Sequence, residues 1–298
     1  MKDQAEKLRE LMANKIGYKD NNYTVTRSKA KVLAVTSGKG GVGKTNFAIN
    51  LAISIRRLGY EVLILDADIG LANVEILAGI NIKYSITDLI TSNKTIHEVI
   101  GEGPEGIKII SGGSGFYKIS AINSNNMRRI LEEFKELETM MDYVIIDTGA
   151  GVSDMVLDFV TIADEIILIT TPDPTSIMDS YTMVKALTLK EYKGKLNIVA
   201  NIVNNRTEAE NLFNKFNKVA KNFLKVDLHF LGYLEKSKIV NKAVVNQEPF
   251  LISNPRSDMA KRINIMALRF IDSPNLKGRD RKLSFTQRLK KFILRRGD

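Results

Sequence analysis

The sequence predicts an α/β fold with a doubly wound, mostly parallel sheet and helical appendages at both ends of the chain. Continuous apolar runs, such as residues 61–66, 142–147 and 165–170, alternate with segments whose apolar residues recur at helical spacing. This alternation is typical of parallel strands joined by crossover helices. With 298 residues and 44% hydrophobic composition, the chain can bury one sizeable core.

The first strand leads into a glycine-rich turn within VLAVTSGKGGVGKT, residues 32–45. The last eight residues satisfy the spacing G-x-x-x-x-G-K-S/T, in which backbone N–H groups cradle nucleotide phosphates and the lysine reaches the β and γ oxygens. The motif lies between a buried strand and a helix, as this function requires. We therefore predict nucleotide binding by Gly38, Lys39, Gly40, Gly41, Val42, Gly43, Lys44, Thr45 and Asn46.

Two further apolar runs end in aspartate. EVLILD ends at Asp66, with Asp68 two positions later, and DYVIID ends at Asp147. Ligands of open α/β sheets bind at the carboxyl ends of the strands, so these acids should lie beside the phosphate loop. The second run fits the Walker B pattern, in which Asp147 holds Mg²⁺ opposite the Thr45 hydroxyl. A lone acid after a strand also serves as a helix N-cap, which is the alternative for each of them.

The loop and the segments after these strands resemble the MinD/ParA family, P-loop NTPases with a deviant Walker A motif. In that family an early lysine, here Lys39 of KGGVGKT, contacts the phosphates of the partner subunit's nucleotide in an ATP-sandwich dimer. The segment DADIGLANVEILAG resembles its switch I, in which Asp68 would orient the attacking water and Asp66 would support the Mg²⁺ shell. The resemblance implies slow, Mg²⁺-dependent ATP hydrolysis, with Asp68, Lys39 and Lys44 as catalytic residues in a homodimer.

Further positions match the same family. TGAG resembles its switch II, in which Gly149 and Gly151 let the backbone approach the γ-phosphate and move after hydrolysis. Asn201, near the end of a predicted strand at residues 196–203, aligns with the asparagine that reads the adenine base, and Arg206 would flank the nucleotide. A turn role for Asn201 is the alternative, because asparagine is common at strand ends.

Residues 1–28 are predicted to form a short helix and a polar linker ahead of an ATPase domain at residues 29–272. DQAEKLR near the N-terminus resembles a motif of the family's flagellar-number branch, where it docks on and stimulates a signal-recognition-type GTPase, FlhF. Flagellar basal-body components are further partners on this interpretation. A helix that packs on its own domain is the alternative. The partner-binding residues implied are Asp3, Gln4, Ala5 and Leu8.

The net charge of +10 is concentrated in a tail predicted at residues 273–298. Nine basic and two acidic residues give residues 277–298 a local charge of +7. Basic amphipathic helices bind anionic membrane surfaces, and this one has apolar residues at helical spacing. A nucleic-acid-binding tail is the rival, but phosphate binding needs no apolar face. The membrane contact is assigned to Phe285, Leu289, Phe292, Ile293, Lys290 and Lys291.

Composition excludes some functions. With no cysteine in the chain, a thiolate-held iron–sulfur cluster or cysteine zinc site is excluded. No apolar run reaches 18 residues and no signal-peptide core is present, so we expect a cytoplasmic protein that attaches reversibly to the cell membrane. The expected role is regulation of flagellar number or placement. Division-site positioning of the MinD type and DNA segregation of the ParA type are the alternatives, and a small-substrate ligase lacks an identifiable pocket.

Overall fold

A computed structural model describes residues 30–68, 73–92, 94–112, 124–271 and 283–294. The N-terminal helix with Asp3, Gln4, Ala5 and Leu8 lies outside the described residues, as does part of switch I, residues 69–72. The strands are β1 (Lys31–Ser37), β2 (Val62–Ala67), β3 (Gly101–Glu102), β4 (Lys108–Ser111), β5 (Tyr143–Ala150), β6 (Glu165–Thr170), β7 (Lys195–Val203) and β8 (His229–Glu235).

The described strands form one sheet in the order β3-β4-β2-β5-β1-β6-β7-β8. All of its described pairs are parallel except β3 with β4 at one edge. The predicted doubly wound, mostly parallel sheet is therefore confirmed. β1, β2 and β5 lie side by side in the middle, so the phosphate loop after β1, Asp66 near the end of β2 and Asp147 in the last half of β5 meet on the side where the strands end.

Helices cover both faces of the sheet. They are α1 (Lys44–Arg57), α2 (Asn73–Ala78), α3 (Ile86–Thr91), α4 (Ile96–Val99), α5 (Ser124–Met140), α6 (Asp154–Thr161), α7 (Pro174–Leu189), α8 (Arg206–Val219), α9 (Lys238–Val245), α10 (Phe250–Ser253), α11 (Asp258–Ile271) and α12 (Phe285–Leu294). A 3₁₀ turn, Pro104–Gly106, and a π turn, Ala220–Leu224, complete the described elements.

The core consists of two layers separated by the sheet. Along β1, Leu33 and Val35 pack into the layer that contains α1, α2 and α9 to α11, whereas Val32 and Ala34 pack into the layer that contains α3 to α8 and α12. All seven residues of β1 are buried. A parallel strand covered on both faces needs apolar residues at successive positions, which is why these strands read as continuous apolar runs.

The C-terminal helix α12 packs on the ATPase domain. Phe285 and Leu289 are each 1% exposed, and the Phe285 ring meets Phe134 of α5 edge-on with centroids 6.1 Å apart. The predicted amphipathic helix is therefore present, but two of the apolar residues assigned to the membrane contact lie in the core in this conformation. The side chains of Phe292 and Ile293 lie outside the described set.

Polar contacts hold the same helix. The buried carboxylate of Glu138 accepts hydrogen bonds from the Phe285 N–H (3.0 Å) and the Thr286 hydroxyl (2.8 Å), at the end of the helix where backbone donors lack helical partners. One turn on, Arg288 donates to Asp164 at 2.8 Å. The other oxygen of Asp164 accepts the N–H of Val32, at the start of β1, at 2.8 Å. α12 is thus joined to the strand that leads into the phosphate loop.

Within the described residues, none of the helices has the length and apolar character needed to cross a bilayer.

Candidate functional site

The phosphate loop joins β1 to α1 and adopts a backbone that requires glycine. Gly41 and Gly43 have φ angles of +75° and +91°. At Gly38, an added Cβ would lie 2.2 Å from the carbonyl carbon of Asp179 on α7, so the loop passes closer to that helix than any side chain permits. Gly43 is the N-cap of α1 and makes no side-chain cap hydrogen bond to the first turn of the helix. A glycine-rich loop that ends in an uncapped helix N-terminus is an arrangement suited to binding an anion.

Lys44, the first residue of α1, is buried at 7% exposure. Its burial lowers the pKa of its ammonium, and the carboxylates of Asp147 and Asp68 oppose that shift. The structure therefore brings the predicted phosphate lysine within electrostatic reach of two of the predicted acids. A phosphate placed in the loop would add a further negative charge near this buried ammonium and favour its charged form.

Asp66 and Asp147 lie directly opposite each other on β2 and β5. Asp66 accepts the N–H groups of Asp68 (3.0 Å) and Val74 (3.3 Å). Burial and the neighbouring Asp147 raise the pKa of Asp66 to about 8, although both hydrogen bonds favour its ionised form. The carboxyl is thus fixed by backbone on one side and faces a second carboxyl on the other.

Asp147 is the fully buried member of this cluster. Neither of its carboxylate oxygens has a hydrogen-bond partner of ordinary geometry among the described residues. Burial raises the pKa of Asp147 to about 7, while the Thr45 hydroxyl and the Lys44 ammonium act to lower it. Orphaned carboxylate oxygens beside a threonine hydroxyl at a phosphate loop fit Mg²⁺, which binds one or two protein oxygens and takes its other ligands from phosphate and water. Among the described residues, no group of three or more His, Cys, Asp or Glu side chains is arranged to hold a metal ion.

Asp68 lies against the predicted switch II. An added Cβ on Gly149 would lie 3.2 Å from the Asp68 carboxylate, a tight contact, so the two segments approach each other closely. The N–H of Gly151, a residue with φ +86°, donates to the Ser37 carbonyl at 3.0 Å. Asn73 donates to Asp68 at 3.1 Å, a contact that the sequence analysis missed, although Asn73 belongs to the same DADIGLAN segment.

Lys39 is held outside the carboxylate cluster. Its ammonium donates to Asp173 and to the Thr175 hydroxyl, each at 2.6 Å, and its side chain is 41% exposed. The hydrogen bond from Lys39 is the largest cause that lowers the pKa of Asp173. Sequence analysis assigned no role to Asp173 or Thr175; the TPDPT turn after β6 was the available signal. The two lysines of the loop thus have different environments, one buried and one at the surface.

The two residues predicted to lie near the adenine base, Asn201 and Arg206, have different environments in the structure. Asn201 is 9% exposed, and its side-chain amide donates to the Val42 carbonyl of the phosphate loop at 2.7 Å. Arg206 is exposed and pairs with Glu210 of its own helix at 2.7 Å. An open cleft of about 450 Å³ lies beside the loop, lined in part by Lys39, Val42 and Ile202. The structure therefore brings Asn201 to the loop and leaves Arg206 at the surface.

Comparison with known proteins identifies the family of this chain. The family model described as ParA, the NUBPL iron-transfer P-loop NTPase, matches residues 28–271. The chain is 37% identical to the antiactivator FleN of Pseudomonas aeruginosa, over 76% of this chain and 81% of that one. It is 34% identical to the flagellum site-determining protein YlxH of Helicobacter pylori, over 82% of each chain.

Among solved structures, MinD of Pyrococcus horikoshii complexed with Mg-ADP superposes with a TM-score of 0.64 at 21% identity, covering 82% of this chain and 96% of that one. At that identity the likeness establishes the fold alone. The family model and the relatives FleN and YlxH show that the chain belongs to the ParA family of P-loop NTPases.

Proposed function

This chain is an ATPase of the ParA/MinD family, in its FlhG branch, and we propose that it is a Mg²⁺-ATP-driven dimerising switch. The phosphates of ATP would lie on the loop, with Lys44 at the β and γ oxygens. Thr45 and Asp147 would hold Mg²⁺, supported by Asp66, and the ion would neutralise charge that develops on the phosphates. Asp68, beside the Gly149 backbone, is the residue placed to orient water.

The exposed position of Lys39 is the observation that carries the dimer proposal. Lys44 is buried at the end of the phosphate loop, whereas Lys39 lies on the outer surface with the carboxylate of Asp173 at 2.6 Å. An ammonium held there by Asp173 can exchange one anionic partner for another. We therefore assign Lys39 to the phosphates of a nucleotide in a second subunit, which makes this surface half of a subunit interface.

The proposed membrane contact requires α12 to leave the core. Phe285 and Leu289 cannot touch lipid while they pack on α5, whereas Lys290 and Lys291 are exposed. One basic amphipathic helix binds an anionic surface weakly, but a dimer presents two, and avidity then strengthens attachment without any new contact. Dimerisation by ATP would thus decide when the protein stays at the cytoplasmic face of the membrane.

The proposed output is control of flagellar number or placement. The named relatives FleN and YlxH support this role, and the DQAEKLR head supports FlhF, a signal-recognition-type GTPase, as the partner. Asn201 and Arg206 are proposed at the base end of the nucleotide. Flagellar basal-body components are proposed as further partners.

Sedimentation with vesicles of phosphatidylcholine and phosphatidylglycerol tests the ATP-gated membrane step. We expect the Asp68→Ala protein to pellet with Mg-ATP and to stay in solution with Mg-ADP, and deletion of residues 283–298 to abolish pelleting. Equal pelleting in both nucleotides would refute the gating. Salt-sensitive binding to DNA that outcompetes these vesicles would favour the DNA-segregation alternative.

Deletion of residues 2–12 tests the biological output. Cells that carry the truncated chain should show an altered number or position of flagella and normally placed division septa. Misplaced septa with normal flagella would instead support the division-site role.

A further inference from the structure

Strand β7 carries a bulge at the edge of the nucleotide site. Asn201 is opposite Leu234 of β8 and Val203 is opposite Glu235, so Ile202 is an extra residue without a register partner. Ile202 has φ +57°, a left-handed backbone conformation that is rare and strained for a β-branched residue. Bulges next to active sites serve to re-aim a side chain. The strained backbone at Ile202 indicates that the bulge in β7 has a function.

The side chain that the bulge aims is Asn201. Its Oδ1 accepts the N–H of Ile202 at 2.9 Å, which fixes the amide plane, and its Nδ2 donates to the Val42 carbonyl at 2.7 Å. A Cβ on Gly43 would lie 2.6 Å from the same Nδ2, so the missing side chain at Gly43 makes room for the contact. The bulge, the two hydrogen bonds and the absence of a side chain at Gly43 together hold the Asn201 amide against the Val42 carbonyl.

We propose that Asn201 is a positioning residue for the phosphate loop, a role that rests on the proposed nucleotide site and goes beyond base recognition. The C=O and N–H of one trans peptide point in opposite directions. The bond that draws the Val42 carbonyl toward Asn201 therefore turns the Gly43 N–H away from Asn201, into position for a phosphate oxygen. One N–H and one lone pair of the Asn201 amide remain free for a base, so the same side chain can join the base to the loop.

Calorimetric titration tests this proposal by comparing the affinity for Mg²⁺-tripolyphosphate, which has no base, with the affinities for ATP and GTP. Asn201→Asp keeps the shape of the side chain but cannot donate to the Val42 carbonyl. We expect the affinity for tripolyphosphate, which has no base contact to lose, to fall by about tenfold or more, and the affinity for ATP to fall by at least the same factor. Asn201→Ala, which adds no charge, should also lower the affinity for tripolyphosphate.

The matched control is Asn205→Asp, which makes the same change of charge four positions later. Asn205 caps α8 by accepting the Glu208 N–H at 2.9 Å, and an aspartate retains that bond, so tripolyphosphate affinity should stay within about twofold. Wild-type affinity for tripolyphosphate in both Asn201 variants, with ATP affinity and purine discrimination lost, would overturn the proposal in favour of base recognition alone. A wild-type chain that bound neither ATP nor tripolyphosphate would refute the nucleotide site itself.

Discussion

At the scale of single residues, the phosphate loop contains two lysines with opposite surroundings. Lys44 is buried beside Asp147 and Asp68, whereas Lys39 is exposed and bonded to Asp173 and Thr175. A buried ammonium near two carboxylates suits a phosphate bound in the same subunit, and an exposed ammonium suits one that arrives from outside. Substitutions at each position should therefore have separable effects.

Lys44→Ala should lower ATP affinity by about 100-fold or more, because it removes the charge-assisted contact to the β and γ oxygens. Titration with a fluorescent ATP analogue measures this loss. Lys39→Ala should bind the analogue with nearly wild-type affinity, since its ammonium lies at the surface. If both variants lost binding equally, the division of roles between the two lysines would be wrong.

Asp68→Ala should retain ATP binding and reduce hydrolysis by about 100-fold or more, the usual range for loss of a group that orients or activates water. Phosphate release under single-turnover conditions measures the step. Asp154→Ala removes an exposed acid at the start of α6 and is the matched control, which should hydrolyse ATP at the wild-type rate. Wild-type hydrolysis by Asp68→Ala would contradict the assigned role.

The raised pKa values of Asp66 and Asp147, about 8 and about 7, predict a pH dependence for the protein free of metal and nucleotide. Both groups bind protons more tightly in the folded chain than in the unfolded one. Their contribution to the free energy of unfolding is therefore fully present at low pH and is lost as the pH rises toward 8. Each unit of pKa difference corresponds to about 1.4 kcal/mol. Asp147→Asn should therefore raise the thermal midpoint in EDTA, and more at pH 8 than at pH 5. A larger gain at pH 5 would contradict the raised pKa of Asp147.

At the scale of elements, the sequence predicts strands, helices and the loops between them, but it misses contacts between residues far apart along the chain. Apolar runs that end in glycine or aspartate predicted which strands meet at the nucleotide site, because parallel strands place their carboxyl ends together. The predicted end at Asp147 was three residues short, since β5 continues to Ala150. The Lys39–Asp173 contact spans 134 positions and the Glu138–Phe285 contact spans 147. No periodicity or spacing encodes such contacts, so the docking of α12 on α5 became visible only in the folded chain.

Helix α12 is predicted to exchange between docked and released positions, and Glu138 controls that equilibrium. Glu138→Ala removes the acceptor for the Phe285 N–H and the Thr286 hydroxyl, which should shift the equilibrium toward release by roughly tenfold. Pelleting with anionic vesicles in the absence of nucleotide should rise accordingly. Glu132→Ala, which removes an exposed acid from α5, the helix that also carries Glu138, is the control. Equal pelleting of the two variants would show that the Glu138 contact does not restrain α12.

At the scale of the whole molecule, one chain of contacts joins α12, the helix proposed to bind the membrane, to the strand that leads into the phosphate loop. Arg288 of α12 bonds to Asp164, which also holds the Val32 N–H at the start of β1, and β1 ends in the phosphate loop. Nucleotide state and membrane attachment are therefore proposed to act through the same central strand. Such coupling requires that ATP create a second state of the whole protein, and the exposed Lys39 is the basis on which we propose a dimer as that state.

The molar mass of Asp68→Ala in Mg-ATP and in Mg-ADP, measured by light scattering on a size-exclusion column, tests this dimer most directly. An ATP-gated switch predicts about twice the mass with ATP as with ADP, and a monomer in both nucleotides when Lys39→Ala is added. A monomer with saturating ATP, or a dimer that survives both ADP and the loss of Lys39, would contradict it.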